Sequence, residues 1–316
     1  MLGDFWKGLG GKLAERWLTA LFSPACLFWL AGALARLNSG GWATVKAEGW
    51  VGAASSWTKE LRALPVLVQG LAVVASLLLL TLSGLLLQFL SRPAVRLLEG
   101  YGTSRGLHRL LRERLGRRAD RDIELLRPLA ARQTADLDAD ELDVREKLIR
   151  AMRSVPLDAA RRMPTRLGNL LRASEDRVRA HYGLDPVTCW PRLWLVMPDT
   201  ARTEVVAARR SLYLSVQVWV AAVACVVWSV WNLWVILLSI VAAATTYRGF
   251  VLPAARQYAE IVEVCFDVYR RELYNSLRLP LPENPLAEYQ AGRRLTTYLV
   301  AGSRRAEPVF APHESG

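Results

Sequence analysis

The chain has 316 residues, of which 52% are hydrophobic and 22% charged, with a formal net charge of +12 and a pI near 10.0. This apolar composition excludes a disordered chain, and four isolated cysteines exclude a disulfide framework. A basic surplus is common in nucleic-acid binding proteins. The cytoplasmic segments of membrane proteins are cationic as well, and the apolar blocks described below favour that class and argue against nucleic acid.

The first 36 residues predict a surface helix followed by a membrane span. Residues 1–16 place apolar and basic side chains on separate helical faces, which is typical of an interfacial amphipathic helix. Residues 17–36 contain one helix breaker, Pro24, and predict a first span that is kinked there. A secretory signal is the alternative, because basic residues precede this segment and Ala33-Leu34-Ala35 imitates a cleavage site.

Residues 37–65 predict an outer loop that carries Trp42, Trp50 and Trp57. Tryptophan is enriched at both membrane interfaces, so we expect these rings to anchor the loop at the outer surface. A ligand-binding role for the same rings is the alternative.

Residues 66–90 are the strongest membrane signal, because 25 positions contain no ionisable side chain and 16 of them are Leu, Val or Phe. About 20 apolar residues cross a hydrocarbon core roughly 30 Å thick. The segment therefore predicts the second span.

Residues 91–211 predict a helical cytoplasmic domain. A helix that continues span two and bends at Gly100, Gly102 and Gly106 is expected to lead into an arginine run, and an acidic run follows near residues 136–146. Pairing between the two runs is one interpretation, and contact with lipid headgroups or a protein partner is the other. The candidate contact residues are Arg112, Arg114, Arg117, Arg118 and Arg121.

Two further elements precede the third span. Thr165 and Gly183 have the residue types of a helix cap and a helix stop, so they bound a predicted amphipathic helix. An apolar cluster then begins at Asp185-Pro186 and is expected to break at Pro191. Its Trp190 and Trp194 are candidate interface anchors, although the cluster could also dock under the bundle or form a subunit contact. Tryptophan in such a cluster is more often part of a core than of a ligand site.

The apolar block from Leu212 to Thr246 is uncharged over 35 residues, too long for one span. Asn232 offers a turn, so residues 212–230 and 233–251 predict spans three and four, with Trp228, Trp231 and Trp234 as interface anchors. Residues 252–302 predict C-terminal cytoplasmic helices, with a bend at Pro253, and residues 303–316 a flexible tail.

The distribution of Lys and Arg orients the predicted spans. Twelve basic residues lie near the ends assigned to one side, against four on the other, so both termini are expected in the cytoplasm of a bacterial inner membrane whose anionic lipids are the natural partner. The spans contain a few polar side chains that could line a pore or join helices. These candidates are Gln69, Ser76, Thr81, Gln88, Ser215 and Gln217.

One region resembles a known family. Pro164 to Pro198, with Pro-Thr-Arg-Leu-Gly-Asn, Tyr-Gly-Leu-Asp and Trp-Pro-Arg-Leu-Trp, is similar to a pattern in uncharacterised multi-spanning bacterial membrane proteins with a cytoplasmic helical domain. The likeness extends to Phe266-Asp-Val-Tyr-Arg270. It implies folded cytoplasmic segments, and no activity or site residue comes with it.

The sequence contains no catalytic, cofactor or metal motif, so the chain is expected to be no enzyme and to bind no cofactor. It predicts an all-α integral membrane protein with four transmembrane helices. The main functional hypothesis is a homo-oligomer that forms a channel or pore with a helical cytoplasmic vestibule, built by helices 92–118 and 254–278. The alternative is a membrane-anchored scaffold or regulator that docks a cytoplasmic partner. A lipid-directed enzyme without a local signature ranks third.

Overall fold

The computed structural model describes residues 23–39, 63, 65–102, 105–132, 138–156, 158–302 and 310. Four predictions therefore fall wholly or largely outside the described residues. They are the surface helix at 1–16, the start of the first span with its kink, the outer loop with Trp42, Trp50 and Trp57, and the tail at 303–316.

All regular elements among the described residues are helices and none is a strand, which confirms the predicted class at that level. The α-helices are α1 (Pro24–Ser39), α2 (Val66–Glu99), α3 (Arg105–Ala131), α4 (Ala139–Met152), α5 (Arg166–Tyr182), α6 (Pro186–Val196), α7 (Asp199–Ala224), α8 (Trp234–Thr246), α9 (Leu252–Ser276) and α10 (Pro285–Ala301). Short 3₁₀ turns occupy Ala159–Arg161 and Cys225–Val230.

Three helical stretches are long and apolar enough to cross a membrane: Val66–Glu99, Asp199–Val230 and Trp234–Ser276. A shorter apolar stretch, Pro24–Arg36, lies in α1. Pro24 is the first residue of α1, where its missing N–H breaks no helical hydrogen bond. These three stretches confirm the coarse prediction of membrane-compatible helices.

The chain divides into two compact units. Unit 1 comprises residues 1–95 and 213–251, and unit 2 comprises residues 96–212 and 252–316. In unit 1 a small cluster of Ala25, Leu87 and Ala221 joins α1, α2 and α7. Most of the α2 surface remains exposed. Residues 231–233, between the 3₁₀ turn at Cys225–Val230 and α8, are not helical, and the sequence places the predicted turn there.

Residues Tyr247–Val251 form a π-helical segment between α8 and α9. Pro253 follows directly and cannot donate the backbone hydrogen bond of a regular helix, so a local widening of the turn accommodates it. The stretch Trp234–Ser276 therefore continues as helix through the proline, with an irregular turn beside the predicted bend.

Unit 2 is built on helices α5, α6, α9 and α10, whose ends follow local sequence signals. The Thr165 hydroxyl accepts a hydrogen bond from Gly168 N at 3.0 Å, and Gly183 ends α5 with φ of 67°. Asp185 caps α6 by accepting from Thr188 N at 3.1 Å, and Pro186 takes the first helical position. The predicted starts and stop thus match the structure.

A continuous core joins these four helices. Its fully buried members include Phe266, Leu273, Leu193 and Leu184. The α6 helix runs through Pro191 and ends at Val196, so the predicted break at Pro191 is wrong. Pro191 is the sixth residue of α6, so its missing N–H removes one helical hydrogen bond, and tertiary contacts with α9 hold the helix together.

The transition from α2 to α3 also differs from the expectation. The structure ends α2 at Glu99 and starts α3 at Arg105, so a continuous helix over 92–118 is not formed. Gly100 and Gly102 adopt φ of 103° and 87°, a conformation that a right-handed helix cannot contain. The glycines therefore end the helix here instead of only bending it.

Candidate functional site

The polar side chains of α2 have different surroundings. The hydroxyls of Ser76 and Thr81 donate to the carbonyls of Ala72 and Leu77 in their own helix, each at 2.8 Å. Gln88 is exposed, and its side chain has no hydrogen bond within the described part of the chain. Both hydroxyl donors are thus satisfied inside the helix, whereas the Gln88 amide is available to another molecule.

The remaining pore or contact candidates are less exposed. Gln69 and Ser215 are half-buried, and Gln217 is buried. The structure does not bring the six candidates together into one site within unit 1 as described. A further polar contact was missed by sequence reasoning: Trp29 Nε1 donates to the Ser83 hydroxyl at 3.0 Å across α1 and α2.

One face of α2 combines small and polar residues, and we call it the α2 stripe: Gly70, Leu77, Thr81, Gly84 and Gln88. At 100° per residue these positions fall within an arc of about 60°. A Cβ added to Gly70 or Gly84 would meet no atom within 4 Å, so the stripe is uncovered by the described residues. The row that contacts α1, including Ser83 and Leu87, lies about 100° away.

Trp228 serves in helix contacts inside unit 1. Its Nε1 donates to the Phe28 carbonyl at 3.1 Å, and its ring lies so close to Gly32 that any side chain there would overlap it. Trp231 stacks on Trp228 with ring centroids 5.0 Å apart, whereas Trp234 is 71% exposed. Trp234 is therefore the most accessible of the three predicted anchors.

Trp190 and Trp194 lie against the core of unit 2. Both rings are partly buried, and Trp190 lies 6.0 Å from the ring of Phe266 in α9. Their contribution to the core is evident from these contacts, and a role as interface anchors stays a prediction.

A cavity of about 600 Å³ borders Trp190 in unit 2. Two of its charged lining residues bind each other, because Arg172 donates to Glu175 at 3.2 Å, and Arg172 also donates to the Tyr101 hydroxyl at 2.7 Å. Burial alone would lower the pKa of Arg172, but Glu175 and Tyr101 outweigh burial and raise it. The guanidinium is thus committed to these internal partners.

A buried ion pair links α5 to α9. Arg177 donates to both carboxylate oxygens of Glu263 at 2.7 to 2.9 Å and also to the carbonyl of Arg153. Only 16% and 10% of the two side chains remain exposed. The pair is fully engaged, so its role is structural.

The acidic run does not pair with the arginine run in the described residues. Asp138 and Glu141 form a capping box at the start of α4, and Glu141 binds Arg132 at 2.6 Å. Asp143 and Glu146 each bind a basic residue four positions later in α4. For Asp143 and Glu146, helical spacing brings the basic partner close without closure of a loop of chain.

The arginine run of α3 divides into two faces. Arg112 and Arg117 line a cleft of about 800 Å³, together with His108, Arg109 and Arg162, and we call it the basic cleft. Arg114, Arg118 and Arg121 lie outside that lining, are exposed, and have no ion pair or hydrogen bond in the described part of the chain. Sequence reasoning found the run but missed His108 and Arg162.

Arg162 forms the buried side of the basic cleft. Only 9% of its side chain is exposed, and its Nη1 donates to Asp120 at 2.8 Å. Arg112 donates from Nη2 to the carbonyls of Ala159 and Ala160 at 2.8 and 2.9 Å. These contacts fix two guanidinium groups on either side of the cleft.

The buried thiol of Cys189 is chemically inert in this arrangement, because burial raises its pKa to about 11. No cluster of three or more His, Cys, Asp or Glu side chains that could hold a metal occurs among the described residues. Comparisons of the chain with protein-family models, curated proteins and solved structures gave no match. The candidate functional surfaces are therefore the α2 stripe and the basic cleft.

Proposed function

We propose that the protein is a homo-oligomeric integral membrane protein in which α2 joins the copies and the assembly forms a pore. The observation that carries the proposal is the α2 stripe. It extends from residue 70 to residue 88, a rise of about 27 Å of helix, close to the roughly 30 Å of a hydrocarbon core. Glycines that leave open space allow close helix approach, and an exposed glutamine can hydrogen-bond across helices.

The occupant of the stripe is proposed to be a second copy of this chain. A polar amide in contact with lipid tails is costly, and a Gln88 amide from another copy offers both a donor and an acceptor to it. Within a ring of copies, Thr81 and Gln88 would face either the neighbouring α2 or a central path. A single set of apolar helices lacks the polar lining that conduction requires.

The proposed membrane arrangement has four spans with both termini in the cytoplasm. The three long apolar helices support three of these spans, and the shorter apolar stretch Pro24–Arg36 is proposed to belong to the fourth. The basic side of the charge distribution supports the orientation and the bacterial inner membrane as location. Tags on the two ends should be protected from external protease, and exposure of either tag would overturn this arrangement.

Photo-crosslinking tests assembly through the stripe. A photoreactive amino acid at position 81 or 88 should crosslink two copies, whereas the same residue at Leu79 or Leu86 should not. Those controls are 46% and 56% exposed, lie on the opposite side of α2 and have matched depth along the helix. Equal crosslinking from both faces would contradict the stripe as the interface.

Planar-bilayer recording tests the pore. Gln88→Glu and Gln88→Lys should shift the selectivity of the conductance toward cations and anions respectively, because a ring of charge acts on a permeating ion at short range. An assembled oligomer without any conductance would refute the proposed pore but not the proposed assembly.

The exposed arginine face of α3 supports a second candidate function, that of an anchored scaffold. Arg114, Arg118 and Arg121 carry three charges without partners in the described residues, so they suit an acidic surface of a cytoplasmic protein. Replacing all three by Glu should abolish recovery of such a partner in crosslinking from native cells. Arg112 is unsuitable for this test because it holds the segment at Ala159.

A further inference from the structure

The basic cleft has an uneven charge balance. Four arginines and two carboxylates line it, which leaves a net charge of 4 − 2 = +2 with His108 neutral. Both carboxylates already have partners, since Glu113 lies 3.7 Å from Arg109 and Asp120 lies 2.8 Å from Arg162. The charges of Arg112 and Arg117 are therefore not neutralised by any carboxylate in the described residues.

The two uncompensated arginines differ in order. Arg112 is held by two backbone carbonyls through one terminal nitrogen, which leaves N–H groups on its other nitrogens. Arg117 is exposed and has no partner within the described residues. A hydrogen-bonded guanidinium and an exposed one beside the same cleft are suited to an anion that accepts several hydrogen bonds at once.

The shape of the cleft favours a polar ligand. Gly116 lies in the cleft wall, and a Cβ there would already lie 3.4 Å from Arg162 Nη1. A side chain at position 116 would therefore narrow the cleft. Among the described residues of the lining, Ala159 is the single apolar side chain. Phosphate oxygens would find forked N–H donors on the four arginines of this lining.

We propose that the basic cleft binds the phosphate group of an anionic phosphate ester, with Arg112 and Arg117 as its principal ligands. Phosphate matches the geometry of guanidinium donors, and its negative charge complements the net positive charge of the cleft. The phosphate can belong to a lipid headgroup or to a soluble compound, and both use the same chemistry. This inference is independent of the proposed pore.

Calorimetric titration of the full chain in an uncharged detergent tests the proposal. The two probes are inorganic pyrophosphate and short-chain phosphatidylglycerol, and we expect at least one to bind. Arg117→Gln should weaken that binding about tenfold or more, as expected for the loss of a charge-assisted hydrogen bond. Because Arg117 is exposed and without a partner in the described residues, its replacement should leave the melting temperature unchanged.

Arg118→Gln is the matched control, because the next residue carries the same charge and exposure but lies outside the cleft lining. Its affinity should stay within about twofold of the parent, since long-range charge effects are screened by salt. Binding of pyrophosphate as tight as that of the lipid identifies a soluble phosphate compound, and binding of the lipid alone identifies a headgroup. Binding of neither probe, or equal losses in the two variants, would overturn the proposal.

Discussion

Replacing Gly292 by alanine has two effects of opposite sign on the free energy of unfolding. Gly292 lies inside α10, where alanine is favoured over glycine by about 1 kcal/mol. An added Cβ, however, would lie 1.9 Å from the carbonyl oxygen of Tyr182. An ordinary carbon–oxygen contact is roughly 3.3 Å, so α10 and the end of α5 would have to separate by about 1.4 Å.

This overlap cannot be relieved by rotating a side chain, because the obstacle is backbone. Gly183 approaches α10 just as closely, since its own Cβ would lie 2.1 Å from the Tyr289 carbonyl oxygen. Separation of the two helices would also open the core at Leu184 and Leu295. Overpacking costs up to about 3 kcal/mol, and after the propensity gain of about 1 kcal/mol a net loss of about 2 kcal/mol remains.

Thermal unfolding of the full chain in mild detergent, followed by tryptophan fluorescence, measures this loss. Trp190 and Trp194 lie against the same core and report on it. We expect the melting temperature of Gly292→Ala to fall by about 4–8 °C. Gly106→Ala is the control, because its Cβ would meet open space and should cause no fall. A Gly292→Ala protein as stable as its parent would refute the close-contact argument.

Three further predictions concern single interactions in unit 2. Arg177→Ala should lower the free energy of unfolding by about 3 kcal/mol, because Glu263 would stay buried without its partner. A double variant, Arg177→Met with Glu263→Leu, should recover most of the lost stability, and no recovery would argue against the unpaired carboxylate as the cause. Burial tends to raise the pKa of Asp185, but hydrogen bonds from Thr188 and Arg179 outweigh burial and hold the pKa below its ordinary 3.8. The ionised Asp185 carboxylate therefore stabilises the fold above that value, and this stabilisation is lost as the pH falls through the lowered pKa. Acid melting curves should then show a smaller loss below about pH 4 for Asp185→Asn than for the parent, and parallel curves would contradict the assignment. Maleimide labelling followed by mass spectrometry should find Cys189 unmodified in the folded chain, because burial raises its pKa to about 11; labelling at the rate of a free thiol would show that the site is accessible.

Much of the helical framework could be predicted from local sequence signals. The cap at Thr165, the stop at Gly183 and the start at Asp185 depend on residues within four positions of each helix end, so the local sequence contains the necessary information. The uncharged run of α2 likewise predicts a long apolar helix without reference to any other segment.

The candidate surfaces depended on partners that the sequence does not reveal. The arginine run was evident, but only the fold placed Arg162 opposite Arg112 and divided the run into a cleft and an exposed face. The six polar span residues were predicted as one group, and the fold gave them different surroundings.

The sequence by itself determined both ends of α5, the start of α6 and which helices are apolar enough to cross a membrane, because these properties depend on neighbouring residues and on the composition of a segment. Only the tertiary structure decided that Arg177 meets Glu263, 86 positions away, and that Gly292 lies against Tyr182. Such contacts depend on closing long loops of chain, and their free energy comes from a whole core.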